Sequence, residues 1–259
     1  MTTRPFSKRE RLSRRQWLRA GAALLGAPLL SRAATPPRRV VVWSECTAPP
    51  HVYPDDINGA IAAGLKPLLR GWNIETANLF MPEQGCSRAS LDRCDVLIWW
   101  GHKRHARVKD EYVDRIERRV KEDGMGFIAV HSAHFAKPNK RLMGTRCSWA
   151  AYKTDGCRLK VHVNEPQHPV TRGVKDFTLP RIERYSEPYQ VPEPAAVPLT
   201  GAYVHPDGRT ESTRVGLCWR IGQGRMFYLS IGHETYPNLY RPEVQQIFAN
   251  AVQWAAPER

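Results

Sequence analysis

Several familiar signatures are missing from this chain of 259 residues. No Gly-x-x-x-x-Gly-Lys-Ser/Thr loop and no Gly-x-Gly-x-x-Gly turn occurs, so nucleotide and dinucleotide binding lack their usual marker. No His-Glu-x-x-His pair is present, and Ser132 sits in Ala-Val-His-Ser-Ala-His, not in a Gly-x-Ser-x-Gly elbow. None of the six cysteines (Cys46, Cys86, Cys94, Cys147, Cys157 and Cys218) belongs to a Cys-x-x-Cys pair. Six cysteines allow many disulfide pairings, and their spacing does not choose among them. Internal repeats, low-complexity linkers and long basic runs are also absent beyond the first thirty-odd residues. No nucleic-acid partner is therefore expected.

What the chain does carry begins with a distinct leader. Residues 1–15 are strongly basic, an apolar run AGAALLGAPLL follows at 20–30, and Ser31-Arg32-Ala33 makes a small-x-small site. A basic region, an apolar region and a cleavage site in that order read as a signal peptide over residues 1–33. Arg14-Arg15 directly before Gln16-Trp17-Leu18 resembles a twin-arginine signal, an address read by export machinery and not an anchor. The expected location is periplasmic or secreted. The formal net charge is +14. Without the leader it falls to thirty-one basic against twenty-four acidic residues, a diffuse surplus that only weakly favours an anionic or polar partner. Residues 34–259 read as one domain, long enough to bury a substantial core.

The remainder reads as alternating strands and helices. Arg39–Trp43, Asp95–Trp100 and Gly126–Val130 are continuous apolar runs, as expected of strands buried on both faces of a parallel sheet. Residues 73–79 form a fourth, weaker candidate. Residues 56–70 carry Ile57, Ile61, Leu65 and Leu68 at helical spacing, with Pro67 loosening the end. Residues 111–122 place Tyr112, Ile116 and Val120 on one helical face. Residues 157–163 suggest another strand, and Pro-rich 186–200 an extended loop. Thr213–Arg220 and Arg225–Ser230 flank Gly222-Gln223-Gly224 as a hairpin, and 242–254 reads as a terminal helix. The pattern defines an α/β layer architecture.

Open parallel sheets bind ligands beyond the carboxyl ends of their strands, and the chain's unusual polar residues fall there. Strand ends deliver Ser44-Glu45, then Gly101-His102 with His105 three further on, then His131-Ser132-Ala133-His134, then Gly232-His233-Glu234. Imidazole and carboxylate are ligands for zinc, manganese or iron, and an acid–base pair near neutral pH. His102, His134 and His233 are the candidate metal ligands, and Glu45, His131 and Glu234 the candidate acid–base residues. Tyr53, Trp100, Tyr185, Glu187 and Tyr236 offer aromatic faces beside carboxylates, which suits stacking and hydrogen bonding to a sugar. Against each stands the plainer alternative of packing. Ser132 is a weaker, nucleophilic candidate.

These motifs, from Val42-Trp43-Ser44-Glu45 through Gly126-Phe127-Ile128-Ala129-Val130-His131-Ser132-Ala133-His134-Phe135 to Gly232-His233-Glu234-Thr235-Tyr236-Pro237, resemble the trehalose-utilisation, or ThuA-like, family from about residue 39 to 256. The resemblance implies a flavodoxin-like three-layer sandwich of the class I glutamine amidotransferase-like kind. True amidotransferases carry a cysteine at the elbow after the central strand. Here His131-Ser132 stands there, so glutamine hydrolysis is not expected. The resemblance further implies an enzyme of trehalose-type disaccharides or their 3-keto derivatives, working beside a sugar 3-dehydrogenase. The competing expectation is a periplasmic sugar-binding protein without catalysis. A homo-oligomer is compatible with either.

Overall fold

Residues Arg39–Ser44 are buried along their whole length, and the reason is visible in their parity. Val40 and Val42 point into one apolar cluster, while Val41 and Trp43 point into another. The same split holds for Val96, Ile98 and Trp100 against Leu97 and Trp99, and for Ile128 and Val130 against Phe127 and Ala129. A strand alternates its side chains between faces, so unbroken apolar runs need cover on both sides. Each buried Val, Ile or Leu contributes about 1.5–3 kcal/mol by leaving water.

A computed structural model describes residues 1–2 and 36–258. The chain divides into two units, Met1–Pro36 and Pro37–Arg259, and all sheet and helix structure of the described residues lies in the second. Beyond Met1 and Thr2, the leader expected over residues 1–33 lies outside the described residues.

The strands in chain order are β1 (Arg39–Ser44), β2 (Asn73–Asn78), β3 (Val96–Trp100), β4 (Gly126–Val130), β5 (Ala151–Lys153), β6 (Arg158–Val163), β7 (Phe177–Leu179), β8 (Arg184–Ser186), β9 (Ala196–Val204), β10 (Thr210–Ile221) and β11 (Gly224–Leu229). The helices are α1 (Asp56–Leu68), a single turn α2 (Arg88–Leu91), α3 (Asp110–Lys121), α4 (Lys137–Met143) and α5 (Pro242–Ala255). One nine-stranded sheet runs β2-β1-β3-β4-β11-β10-β9-β6-β7, and β5 pairs β8 separately.

The first five strands of the large sheet are mutually parallel in the order β2-β1-β3-β4-β11. That is the flavodoxin-like order, whose ligand crevice opens where the winding reverses, between β1 and β3. Helices α1 and α5 cover one face through Ile57, Ile61, Leu65, Val244, Ile247 and Phe248. The other face is covered by α3 and α4 through Tyr112, Ile116, Val120, Leu142 and Met143. The three-layer α/β sandwich expected from the sequence is present. Among the described residues no helix is long and apolar enough to cross a membrane, and all six cysteines are free.

One expectation needs correction. The stretch 186–200 is not all loop, because β9 begins at Ala196 and pairs with both β10 and β6. The hairpin expected from Thr213–Arg220 and Arg225–Ser230 is present as antiparallel β10 and β11, and beyond it the sheet continues with antiparallel β9, β6 and β7. Pro67 lies in the last turn of α1 and does not break it. Helix α4 was not read from the sequence, although Pro138 in its first turn and Gly144 in the left-handed region at its end both mark it.

Candidate active site

The site begins with an elbow. Strand β4 ends at Val130, and the next residue, His131, adopts φ +50°. This left-handed conformation is unfavourable for any residue with a Cβ. It turns the chain sharply and sets the ring of His131 at the strand's carboxyl end, fully buried. His131 Nδ1 lies 2.7 Å from the Ser230 carbonyl oxygen, which can only accept, so Nδ1 carries a proton. His131 Nε2 faces the Tyr185 hydroxyl at 3.0 Å and Glu183 Oε2 at 3.1 Å.

Three imidazoles converge here. The His131 and His233 rings are 5.6 Å apart, and those of His102 and His233 5.4 Å apart. They come from the ends of β4, β3 and β11, three adjacent or nearly adjacent parallel strands. Two carboxylates complete the group. His233 Nε2 is 3.6 Å from Glu183 Oε2, and His102 Nδ1 is 2.5 Å from Glu234 Oε2. The latter pair touches without the alignment of a hydrogen bond, leaving both buried atoms without a well-aligned partner. Two sets of three donors, His102 with His233 and Glu234, and His131 with Glu183 and His233, are close enough to hold a cation.

Charge separates the two halves. Glu234 also takes Lys103 Nζ at 3.0 Å. Burial works to raise its carboxyl, but His102, His233 and Lys103 together outweigh burial and hold it at about 2. Among the described residues no lysine or arginine pairs with Glu183, whose ion-pair partners are His131 and His233. Burial opposes ionisation of Glu183 as well, yet His131 and then His233 hold it below the usual carboxylate range. Burial, with His131 second, lowers His233 to about 4, so that ring is neutral near pH 7. The Thr235 N–H donates to His233 Nδ1 at 3.1 Å, which leaves Nε2 pointing at Glu183.

Glu45 has a different task. It is fully buried, and its Oε2 accepts the backbone N–H groups of His102, Lys103 and Arg104 at 2.9, 2.8 and 2.8 Å. One carboxylate oxygen thus folds the loop that carries His102 and Lys103 to Glu234. Gly101 permits the approach, since a Cβ there would lie 2.9 Å from Glu45 Oε1. His105 Nδ1 stands 3.6 Å from that same oxygen.

Other residues singled out from the sequence do not join the cluster. His134 is buried against Tyr152, donates Nδ1–H to the Cys147 carbonyl at 2.7 Å, and belongs to neither donor set. Tyr53 and Trp100 are core residues whose polar ends serve the main chain, at Tyr236 O (2.6 Å) and Gly232 O (3.2 Å). Glu187 forms a two-pronged ion pair with Arg214. Tyr185 does meet His131, and Tyr236 lies beside His233 with ring centres 5.4 Å apart. Sequence reading missed Glu183 altogether. The available signal was Glu183-x-Tyr185-x-Glu187, an alternation that in extended chain sets the three on one face.

The centre opens to solvent through the side chains of His102, 26% exposed, and Lys103, 58% exposed. A cavity of about 530 Å³ beside Asp123, Arg220 and Glu258 lies at the opposite ends of β4 and β11, and a groove of the same volume crosses the antiparallel strands at His162 and Arg214. Neither touches the cluster.

A flavodoxin-like sheet whose parallel strands end in a ring of imidazoles and carboxylates defines the class, a three-layer α/β sandwich with its candidate site beyond the carboxyl ends of the strands. Its family follows from a direct match: the model of the trehalose-utilisation family, ThuA, spans residues 39–255, and the chain belongs to that family. Membership supports a sugar-related role. Among solved structures, a ThuA-like protein from Bacteroides uniformis ATCC 8492 is similar with 18% identity and TM-score 0.57, over 88% of this chain and 95% of that one. One from Parabacteroides merdae ATCC 43184 has 13% identity and TM-score 0.60, over 85% and 90%. The carbohydrate deacetylase Agd3 shares 10% identity and TM-score 0.54, over 77% of this chain and 30% of that one. These likenesses bear on the fold. None of the curated proteins matches the chain.

Proposed function

We propose that this protein is an enzyme acting on trehalose-type disaccharides or their 3-keto derivatives, by acid–base chemistry assisted by a divalent cation. The observation that carries the reading is the contact between His131 Nε2 and Glu183 Oε2 at 3.1 Å. With Nδ1 already donating, both atoms are acceptors. The Tyr185 hydroxyl can satisfy one of them, and a proton or a cation must lie between the pair. His131 Nε2 and Glu183 would hold zinc, manganese or iron there, with His233 beside them. Such an ion, when bound, polarises a sugar carbonyl or hydroxyl oxygen.

The second half supplies the proton chemistry. The sequence reading placed His102 among the ligands. Beside a Glu234 already neutralised by Lys103, it is better suited to proton transfer, with Glu234 orienting the ring through Nδ1. A ketone at C3 acidifies the C2–H bond. Removal of that proton by His102 Nε2 places the C–H electron pair in an enolate over C2, C3 and the ketone oxygen. As the enolate collapses to a C1–C2 double bond the glycosidic C1–O bond breaks, and the departing oxygen takes the proton from His102. Glu45 holds the loop that places His102. A sugar 3-dehydrogenase would supply the ketone, and the twin-arginine-type leader would put the chemistry outside the cytoplasm.

The test is incubation of chelator-treated protein with 3-keto-trehalose and with trehalose, with and without zinc or manganese. Turnover of the keto sugar should need the metal, and His102→Ala and His233→Ala should abolish it while leaving circular dichroism intact. Sugar binding without turnover, or full activity in metal-free protein, would overturn the proposal.

A further inference from the structure

A second group of donors lies away from the strand-end centre, on the antiparallel half of the molecule. Asp155 is in the turn between β5 and β6, Cys157 directly precedes β6, and His205 directly follows β9. Their ligand atoms, a carboxylate oxygen, Sγ and an imidazole nitrogen, all lie within 4.8 Å of one another. A fourth donor is adjacent: Glu211, on β10, brings Oε2 to 3.7 Å from His205 Nε2. The Cys157 residue is fully buried and the His205 side chain is 11% exposed, while Asp155 and Glu211 are each 31% exposed and form the open rim.

We infer that Asp155, Cys157, His205 and Glu211 form a binding site for a thiophilic divalent cation of the zinc class, separate from the catalytic centre. The donor set of one sulfur, one nitrogen and carboxylate oxygens is the set that zinc takes, and four donors meet its tetrahedral preference. Ligand atoms around such an ion stand about 3.3–3.8 Å apart, given metal–ligand bonds of about 2.0–2.3 Å. Closing the site takes movement of the exposed Asp155 and Glu211 side chains and of Arg184, which pairs with both.

Arg184 is the obvious competitor, and its contacts are specific. Its Nε and Nη2 donate to Asp155 Oδ2 at 3.0 and 2.7 Å, and Nη1 donates to Glu211 Oε2 at 2.8 Å. Each carboxylate therefore keeps a second oxygen, Oδ1 of Asp155 and Oε1 of Glu211, outside these bonds. The guanidinium, which also reaches Cys157 and Ser186, holds the two carboxylates at the rim in the absence of an ion, and none of its hydrogen bonds goes to His205. Bound there, the ion would tie the β9–β10 hairpin to the β5–β6 turn across three chain segments.

Cobalt distinguishes this site from the catalytic one, because only this site has a thiolate. Chelator-treated full-length protein is titrated with Co²⁺ and followed in the near ultraviolet, where thiolate-to-cobalt charge transfer absorbs. Wild type should develop that band. Cys157→Ser and His205→Ala should each remove the band, and His233→Ala should keep it. Asp155→Asn, at the rim, should weaken Co²⁺ binding at the band roughly tenfold or more without disturbing the core. A wild-type titration with no thiolate band, or a band that survives Cys157→Ser, would overturn the site. Either failure leaves the strand-end centre and its activity assay untouched.

Discussion

Two histidines three residues apart on one short segment have opposite fates. His131, at φ +50°, is turned toward Glu183 and Tyr185; His134 is turned into the core and bound to Cys147 O. Burial is the leading cause that lowers His134 to about 3 and His233 to about 4. Both rings are then neutral in the fold but protonated more readily in the unfolded chain, whose imidazoles titrate near 6.5. Their contribution to stability is whole above about pH 6.5 and is lost as pH falls through 4 and 3. Glu234, held at about 2, adds stability above its ordinary 4.5 that is lost as pH falls toward 2. Unfolding by urea should therefore show a lower free energy at pH ~4.5 than at pH ~7. His134→Gln should shrink that difference by on the order of 2 kcal/mol. An unchanged difference in His134→Gln would show that His134 is not the acid-sensitive group. Gly101 gives a second residue-level expectation. Gly101→Ala forces a Cβ to within 2.9 Å of Glu45 Oε1 and 3.2 Å of His105 Nδ1, which should cost about 1–3 kcal/mol of stability in the same assay.

At the scale of elements, the strands buried on both faces announced themselves, while nine-residue β9 and three-residue β8 did not. RVVVW, DVLIWW and GFIAV are apolar at both parities, so their burial between two helical layers was legible, as was the rim of His102, His131, His233 and Glu234 beyond them. Strand β8 has three residues, Arg184–Ser186, too few for a period to show, and Glu183 precedes it in a loop. Its role depends on a long-range meeting with His131 that local pattern does not encode. The aromatic pairs misled for a related reason. Trp43 and Trp99 stack at 3.7 Å inside the core, and Trp100 faces the other layer, so an aromatic at a strand end reads the same whether it packs or binds. The 102–104 loop should behave as a unit hung on Glu45. Glu45→Ala leaves three amides without their acceptor and should cost about 3 kcal/mol or more. In Glu45→Gln, which keeps one carbonyl oxygen, kcat should recover in part and KM change little. Equal stability of Glu45→Ala and wild type would exclude this bracing role. The β10–β11 turn is as tightly set: a Cβ on Gly222, at φ +59°, would stand 2.4 Å from Lys121 O at the end of α3.

For the molecule as a whole, a cation bound to the native state alone must raise stability by mass action, by about 2.7 kcal/mol at a hundredfold excess over Kd. Added zinc or manganese should accordingly raise the thermal midpoint of chelator-treated protein. The rise should shrink in His233→Ala, which removes a ligand that both donor sets share. A midpoint indifferent to metal would speak against any tight native-state site.

The order of the parallel strands has a kinetic consequence. Strand β11 lies beside β4, with Met226 opposite Phe127, although roughly a hundred residues separate them in the chain. Contacts so distant in sequence form slowly. His131 and His233 cannot meet until that insertion is made, and Ser230, which orients His131, arrives directly after the same strand. A nascent chain that has completed β1 to β4 therefore owns a sheet but no histidine cluster. The cluster closes with the last parallel strand, so unfinished copies of the protein lack it.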